Sequence, residues 1–524
     1  MDFKEIFGAS DSLNIESIKD DLDTINLLVG DLISSNPQFK KTNKVKFEIS
    51  QFPLSRKQIF LKLKPYFGEC INWKSPKTQF NITPPLPIAT ISGTAIANSL
   101  NQTLVSDMAS GGFAKLELDM AKYFSKLVGW DSKKSSGIFT FGGTGTNLYG
   151  AKIGLNKANK NFCKTGVNNA VLFDSDQAHS SHKTVADWLG IGIENNVIVP
   201  SDEYGVMINS NFKELLLESI ENGKLIGCIN LSGGTTYDWA IDNIADIKKI
   251  VDSVSQVKSL EYVPHIHVDS VIGWILLFFN KFEINDLKKD LSKDVFNRIV
   301  KGASQISELK YVDSFGVDFH KTGFASYSSS LFMLKERKDF DCISKGAEGA
   351  THQSFELGDY SPGKFTLETS RGVNGPVAAF ISLNAIGEEG FRKIIINMFN
   401  LSDFIRTKLE ESEQFFVLNK KSIGWATMFA IKSSSNFDLK VNLDSNVQDV
   451  LNYNKIQKNF FNFLNSSNNK LDYWKISLSS KYKISKQGIP IAALKIYPMS
   501  PLTVIEDNQK LFNWLEKMAK KFGC

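Results

Sequence analysis

Residues 317 to 321 read Val-Asp-Phe-His-Lys, so a lysine directly follows a histidine that stands two positions past an aspartate. Lys321 ends a mostly apolar, strand-like stretch. A lysine held at such a strand end can form a Schiff base with an aldehyde, provided its ammonium is partly desolvated so that neutral amine is accessible. A lone His-Lys pair is more commonly a solvated surface charge. The catalytic reading therefore rests on the company this lysine keeps.

Four other segments carry chemistry of their own. Phe141-Gly-Gly-Thr-Gly-Thr-Asn147 follows an apolar run and opens a helix-like one. Its backbone N–H groups and the Thr144 hydroxyl suit a phosphate at the positive helix end, and the alternative is a tight turn without a ligand. No Gly-Lys-Ser/Thr ending follows, which sets nucleotide hydrolysis aside. In Phe173-Asp-Ser-Asp-Gln-Ala-His-Ser-Ser-His182, a strand ends, Ser180 is placed to cap the next helix, and His179 falls in the turn. Such turns lie at the carboxyl edge of open α/β sheets, where ligands bind, although His179 can also serve only to stabilise the turn. His265-Ile-His-Val-Asp-Ser-Val271 sets Asp269 at the end of an apolar strand, where a carboxylate is costly to bury unpaired. A protonated pyridine nitrogen is one suitable partner; a helix cap or a surface lysine is another. Ile229-Asn-Leu-Ser-Gly-Gly-Thr-Thr-Tyr237 ends in small and hydroxylated residues, with Thr236 able to bond a carboxylate or a phenolic oxygen. The six histidines match no Glu-bearing zinc motif, so no metal is expected.

The elements that must position these residues follow from patterning. Short apolar runs alternate with helical ones from about residue 84 to 390: Gly137 to Phe141 then Asn147 to Ala158, Ala170 to Phe173 then Ser181 to Leu189, Ile226 to Leu231 then Ile244 to Val254. That alternation predicts an α/β fold with a largely parallel sheet covered by helices on both faces. The expected organisation is an N-terminal helical extension over 1–75, a large domain over 76–390 with the Pro84 to Pro87 cluster near its start, and a small α+β domain over 391–524. With 524 residues, 42% hydrophobic and 22% charged, the chain can bury a large core. The net charge of +5 comes from scattered lysines without interleaved aromatics, so no nucleic-acid partner is expected. The longest apolar run, Val271 to Phe279, is too short to span a bilayer, and the N-terminus lacks a basic region with an apolar core, so no membrane partner is expected. Five widely spaced cysteines fit a reducing compartment, and the expected location is the cytoplasm.

Taken together and in this order, the segments resemble the group II pyridoxal-phosphate-dependent amino acid decarboxylases, which include glutamate, aromatic amino acid and diaminobutyrate decarboxylases. The resemblance covers roughly residues 75 to 395 and rests on Asp176-Gln-Ala-His-Ser-Ser, His267-Val-Asp-Ser and Asp318-Phe-His-Lys. It implies an aspartate-aminotransferase-like (type I) fold whose large domain carries a mainly parallel seven-stranded sheet. It implies pyridoxal 5'-phosphate on Lys321, His179 stacked on one ring face, Val271 against the other, and Asp269 at the pyridine nitrogen. Gly143, Thr144 and His320 would contact the phosphate, and Thr236 would lie near Asp269 and the substrate. Arg371, in Leu367-Glu-Thr-Ser-Arg-Gly, matches the arginine that in some members holds the substrate carboxylate; a structural salt bridge is the other reading. The chain has only six arginines, which suggests a planar, bidentate demand where one occurs.

The implied activity is decarboxylation of an L-amino acid to an amine and carbon dioxide, in a homodimer whose 340–360 loop covers the other subunit's cofactor. The chain departs from the pattern in three places. Ser344 to Gln353 lacks the catalytic loop tyrosine of many members, with Tyr360 too late to match easily and His352 left as an alternative proton donor. Ser270-Val271 replaces a usual pair of alanines, and Ser326 a common proline. Slow protonation would let oxygen compete and yield an aldehyde, and a catalytically silent scaffold is the third reading.

Overall fold

The computed structural model describes residues 15–34, 49–67, 70–344, 359–432, 446–466 and 473–523. Seven strands form the larger sheet: β1 Ser136–Thr140, β2 Ala170–Ser175, β3 Asn196–Val199, β4 Leu225–Ser232, β5 His265–Asp269, β6 Ser314–Asp318 and β7 Ser330–Leu334. Their order is β1-β7-β6-β5-β4-β2-β3. Neighbours from β6 to β3 run parallel, while β7 is antiparallel to both β1 and β6. This is the α/β architecture that the patterning predicts, with the strand count that the family resemblance implies.

Helices cross between the strands: Gly143–Ala158 after β1, Ser181–Trp188 after β2, Ile244–Val257 after β4 and Lys293–Ile306 after β5. Covered on both faces, β2, β5, β6 and β7 are buried at every position, which is why these strands read as near-continuous apolar runs. Asp174, His265, His267 and Asp269 break those runs and are buried all the same. Each must find a partner inside the protein. The helix Gly143–Ala158 makes this possible by packing backbone against strand. A Cβ on Gly150 would come within 2.6 Å of the His267 ring, and one on Gly154 within 2.2 Å of the Gly227 carbonyl. Only glycine allows that approach.

A second sheet, β8 Phe415–Val417, β9 Thr427–Ile431, β10 Ser477–Ile484 and β11 Pro490–Ile496, is antiparallel in the order β10-β11-β9-β8. The helices Val447–Leu464 and Ile505–Phe522 close its own core around Phe429, Phe460, Leu494 and Trp514. A long helical segment, Asn374–Glu411, leads into it, broken where Gly387 takes a non-helical φ of 67°. The two sheets are joined by buried polar contacts. Trp239 Nε1 donates to the Tyr497 hydroxyl at 2.8 Å, and the Tyr482 hydroxyl donates to Asp238 Oδ1 at 2.8 Å.

Candidate active site

Asp269 and Asp318 close adjacent parallel strands, with Asp269 in register with Gly316. Strand β6 stops at Asp318, so Lys321 stands three residues beyond the strand end that the sequence suggested. It lies in a turn closed by the Ala325 N–H donating to the Phe319 carbonyl at 2.9 Å. Phe319 anchors that turn, fully buried, with ring centroids 5.4 Å from Phe124, 5.7 Å from Phe139 and 5.3 Å from Trp274. Lys321 Nζ is 2.7 Å from Asp318 Oδ2, and the lysine side chain is 21% exposed. Burial works against the ammonium, but the carboxylates of Asp318 and Asp269 outweigh it and raise the Lys321 pKa above its ordinary value.

The glycine turn meets the same place. A Cβ on Gly143 would lie 2.8 Å from Asp318 Oδ2 and 3.0 Å from Val271 Cγ1, so the backbone at this helix start is open only because the residue is glycine. Thr144 is exposed on the first turn and Val271 is buried. His320 packs at 4.3 Å, tilted, on the Tyr327 ring, and its Nδ1 accepts from the Ser329 N–H at 3.2 Å. Thr236 is half-buried in the loop after β4, which the Gly233 N–H fastens to the Asp269 carbonyl at 2.8 Å. Ser270, where the family pattern has alanine, spans β5 and β6 by donating to the Gly316 carbonyl at 2.7 Å.

His179 stands at the rim. Its ring is exposed at the surface, yet the protein around it is dense enough that burial lowers its pKa. The Ser181 N–H donates to His179 Nδ1 at 3.2 Å and the Ser181 hydroxyl lies 2.8 Å away, which leaves the proton of a neutral ring on Nε2. Ser180 makes no side-chain cap bond, contrary to the sequence expectation, and its neighbour Ser181 serves His179 instead.

Beneath these residues lies a polar cluster that sequence reasoning missed. Asn147 Nδ2 donates to Asp269 Oδ2 at 2.9 Å, and His182 Nε2 lies 3.3 Å from the same oxygen. On its other side, His182 Nδ1 is 3.1 Å from Asp174 Oδ1. Burial would raise the Asp269 pKa, but His182, Lys321 and Asn147 together hold it well below the carboxylate range. The one available signal was an aspartate inside an otherwise apolar strand at 174.

One expectation changes, that of Arg371. The Arg371 fork is already filled: Nη1 and Nη2 hold Glu117 Oε1 and Oε2 at 2.6 and 3.1 Å, and Nη1 also donates to the Phe139 carbonyl at 2.8 Å. Both partners are buried, so the geometry is that of a structural salt bridge and not of a free clamp for a substrate carboxylate. Tyr360 donates to Glu117 Oε2 at 3.2 Å and belongs to this cluster. His352 lies outside the described residues.

An amine, a buried carboxylate on the neighbouring strand end and a glycine-opened start of a 16-residue helix suit, in turn, an aldehyde carbon, a charged ring nitrogen and a phosphate. These groups fit pyridoxal phosphate. The chain belongs to the pyridoxal-dependent decarboxylase family, whose conserved-domain model matches residues 49–432, and pyridoxal phosphate is its cofactor. It is 28% identical over 200 residues to glutamate decarboxylase of Drosophila melanogaster, covering 37% of each chain. It is 24% identical over 333 residues to the acidic amino acid decarboxylase GADL1 of Bos taurus, covering 62% of this chain and 57% of that one. The match thus spans less than two thirds of either relative's length. The crystal structure of mouse CSAD superposes with a TM-score of 0.76 at 18% identity, over 97% of this chain and 99% of the other.

Proposed function

We propose that this protein removes the carboxyl group of an L-amino acid as carbon dioxide and releases the corresponding amine. The observation that carries the reading is the placement of Lys321 and Asp269, oppositely charged, at the carboxyl ends of one pair of parallel strands. Bound there, pyridoxal phosphate supplies the electron sink for the pair freed when the bond from Cα to the carboxylate breaks.

The chain's own residues supply position and protons. Lys321 holds the aldehyde end, Asp269 keeps a charged ring nitrogen charged, and His179 and Val271 bound the two ring faces. Gly143, Thr144 and His320 serve the phosphate, and Thr236 lies on the substrate side. Arg371 acts as a positioning residue through Glu117. His352 is our assignment for returning a proton to Cα, a step worth about 10²–10⁴-fold when a general acid is well placed. A second copy of the chain completes the enzyme as a homodimer.

Screening the twenty L-amino acids for carbon dioxide release, with wild type beside K321A, tests the reading. We expect release with at least one substrate and none above background from K321A. Retention of both yellow absorbance and turnover by K321A would overturn it. The missing tyrosine between Ser344 and Gln353 favours one second reading, in which oxygen competes and an aldehyde forms. Oxygen uptake measured beside amine formation separates the two products.

A further inference from the structure

His182 takes no part in the chemistry above, yet it is among the most enclosed titratable groups of the site. It sits on the first turn of the helix Ser181–Trp188, 4% exposed, with Asp174 at 1% and Asp269 at 8%. The same helix start that sets His179 at the rim therefore drives His182 underneath, between strands β2 and β5.

Both of its ring nitrogens face carboxylate oxygens, Nδ1 at 3.1 Å from Asp174 and Nε2 at 3.3 Å from Asp269. An ionised carboxylate only accepts, so these two close charge pairings call for a proton on each nitrogen, although among the described residues Asp174 Oδ1 and Oδ2 have no well-aligned hydrogen-bond partner. On the buried side, among the described residues, His182 is the group that brings positive charge to Asp269. The Asn147 amide donates to it with Nδ2, which turns Asn147 Oδ1 toward His267 Nε2 at 3.1 Å and makes that nitrogen a donor. His267 Nδ1 then accepts from the Ser314 hydroxyl at 2.8 Å, and Ser314 accepts in turn from His265 Nε2 at 2.7 Å. Burial holds His265 and His267 down to about 3, so this branch stays neutral. On the open side stand His179, also lowered by burial, and the Lys321 ammonium.

We infer that His182 is a positioning residue for the ring-nitrogen carboxylate, an imidazolium clamped between Asp174 and Asp269 that leaves this buried trio with one net negative charge. The inference rests on the reading of Asp269 as the partner of the ring nitrogen. One negative charge matches one pyridinium. With a neutral imidazole two buried carboxylates would face it, and the excess charge would have to be relieved by protonation or solvent. Burial opposes the charged ring, but Asp174 and Asp269 outweigh it and raise the His182 pKa; burial also pushes the Asp174 carboxyl up, with the His182 charge the largest pull back toward its ionised form. Asp174 thus acts on the cofactor at second hand, by fixing the proton and the orientation of the imidazole that Asp269 leans on.

The test compares equilibrium binding of pyridoxal phosphate with that of its deaza analogue, in which carbon replaces the ring nitrogen. H182Q, D174N and D269N are measured beside wild type, each checked for an unchanged unfolding midpoint as apoprotein. We expect H182Q to weaken pyridoxal phosphate about tenfold or more, the scale of one charge-assisted contact, and to leave the analogue within about twofold of wild type. D174N should shift the same ratio in the same direction, and carries the test if H182Q does not fold. Equal weakening of both ligands, or of neither, by H182Q and D174N while D269N changes the ratio would overturn the role of His182 alone. If D269N itself leaves the ratio unchanged, the ring-nitrogen reading of Asp269 fails and the inference falls with it.

Discussion

Lys321 is held by two carboxylates, Asp318 in contact at 2.7 Å and Asp269 farther off, and both favour its ammonium form. The proton must leave Nζ before the amine can attack a carbonyl. Below its raised pKa the neutral fraction grows about tenfold per pH unit, so loading of apoprotein with pyridoxal phosphate should accelerate as pH rises. D318N should load faster than wild type at neutral pH, with its rate profile displaced to lower pH; stopped-flow absorbance measures both, and a pH-independent wild-type rate would count against the pairing. The Arg371–Glu117 pair makes a separate prediction. Removing one member of a buried ion pair costs about 3–5 kcal/mol, so R371A should lose that much stability by urea unfolding, and R371A/E117A should lose less than the sum of the single changes. A raised KM at unchanged stability would instead return Arg371 to the substrate. At this scale, chain order revealed Lys321, Asp269 and Gly143, because strand ends and helix starts concentrate chemistry in short segments. It hid His182 and Asn147, since contacts between residues 35 and 122 positions apart leave no trace in local spacing. The type of Arg371 was informative and its role was not, because its partner lies 254 positions away.

Strand β5 shows how an element carries chemistry at a cost. His265, His267 and Asp269 alternate with Ile266 and Val268 along a strand buried on both faces, and the two histidines share the Ser314 hydroxyl of β6. The alternation was visible in the sequence, as was the strand, because His-x-His-x-Asp between apolar residues has a period of two. What those side chains would meet was not visible, since it depends on Gly150 letting a helix lie against the His267 ring. Both imidazoles are held neutral, with pKa values pushed down to about 3 by burial. An unfolded histidine takes its proton near 6.5, so between about pH 6.5 and 3 the unfolded chain binds more protons than the folded one. The stability these residues contribute is therefore present above pH 6.5 and lost as pH falls toward 3. Each adds up to one proton to the slope, about 1.4 kcal/mol per pH unit. Urea titrations of apoprotein from neutral to mildly acidic pH should show H267N flatter than wild type by up to that amount, and an unchanged slope would mean that His267 does not stay neutral.

At the scale of the whole molecule, an apolar face is left exposed among the described residues. In the helix Ile88–Leu100 the inner side is small, with Thr90 and Ala97 buried and Gly93 set against Ile381. The outer side carries Ile88, Ile91, Ile96 and Leu100, exposed at 76, 45, 43 and 38%. A helix that buries its small residues and shows its large ones inverts the usual pattern for a surface helix. Phe380, on the segment beneath, is 46% exposed as well, so the patch is broader than one helix. Patches of this kind mark interaction surfaces, and self-complementary pairing is the commonest way for a soluble chain to cover one. Phe141, in the glycine turn at the site, is 45% exposed. We expect light scattering on the purified protein to give twice 58.5 kDa, and the I91E/I96E variant to run as a monomer with its far-ultraviolet spectrum intact. A wild-type protein that stays monomeric at high concentration with full turnover would show that the apolar face serves some other partner.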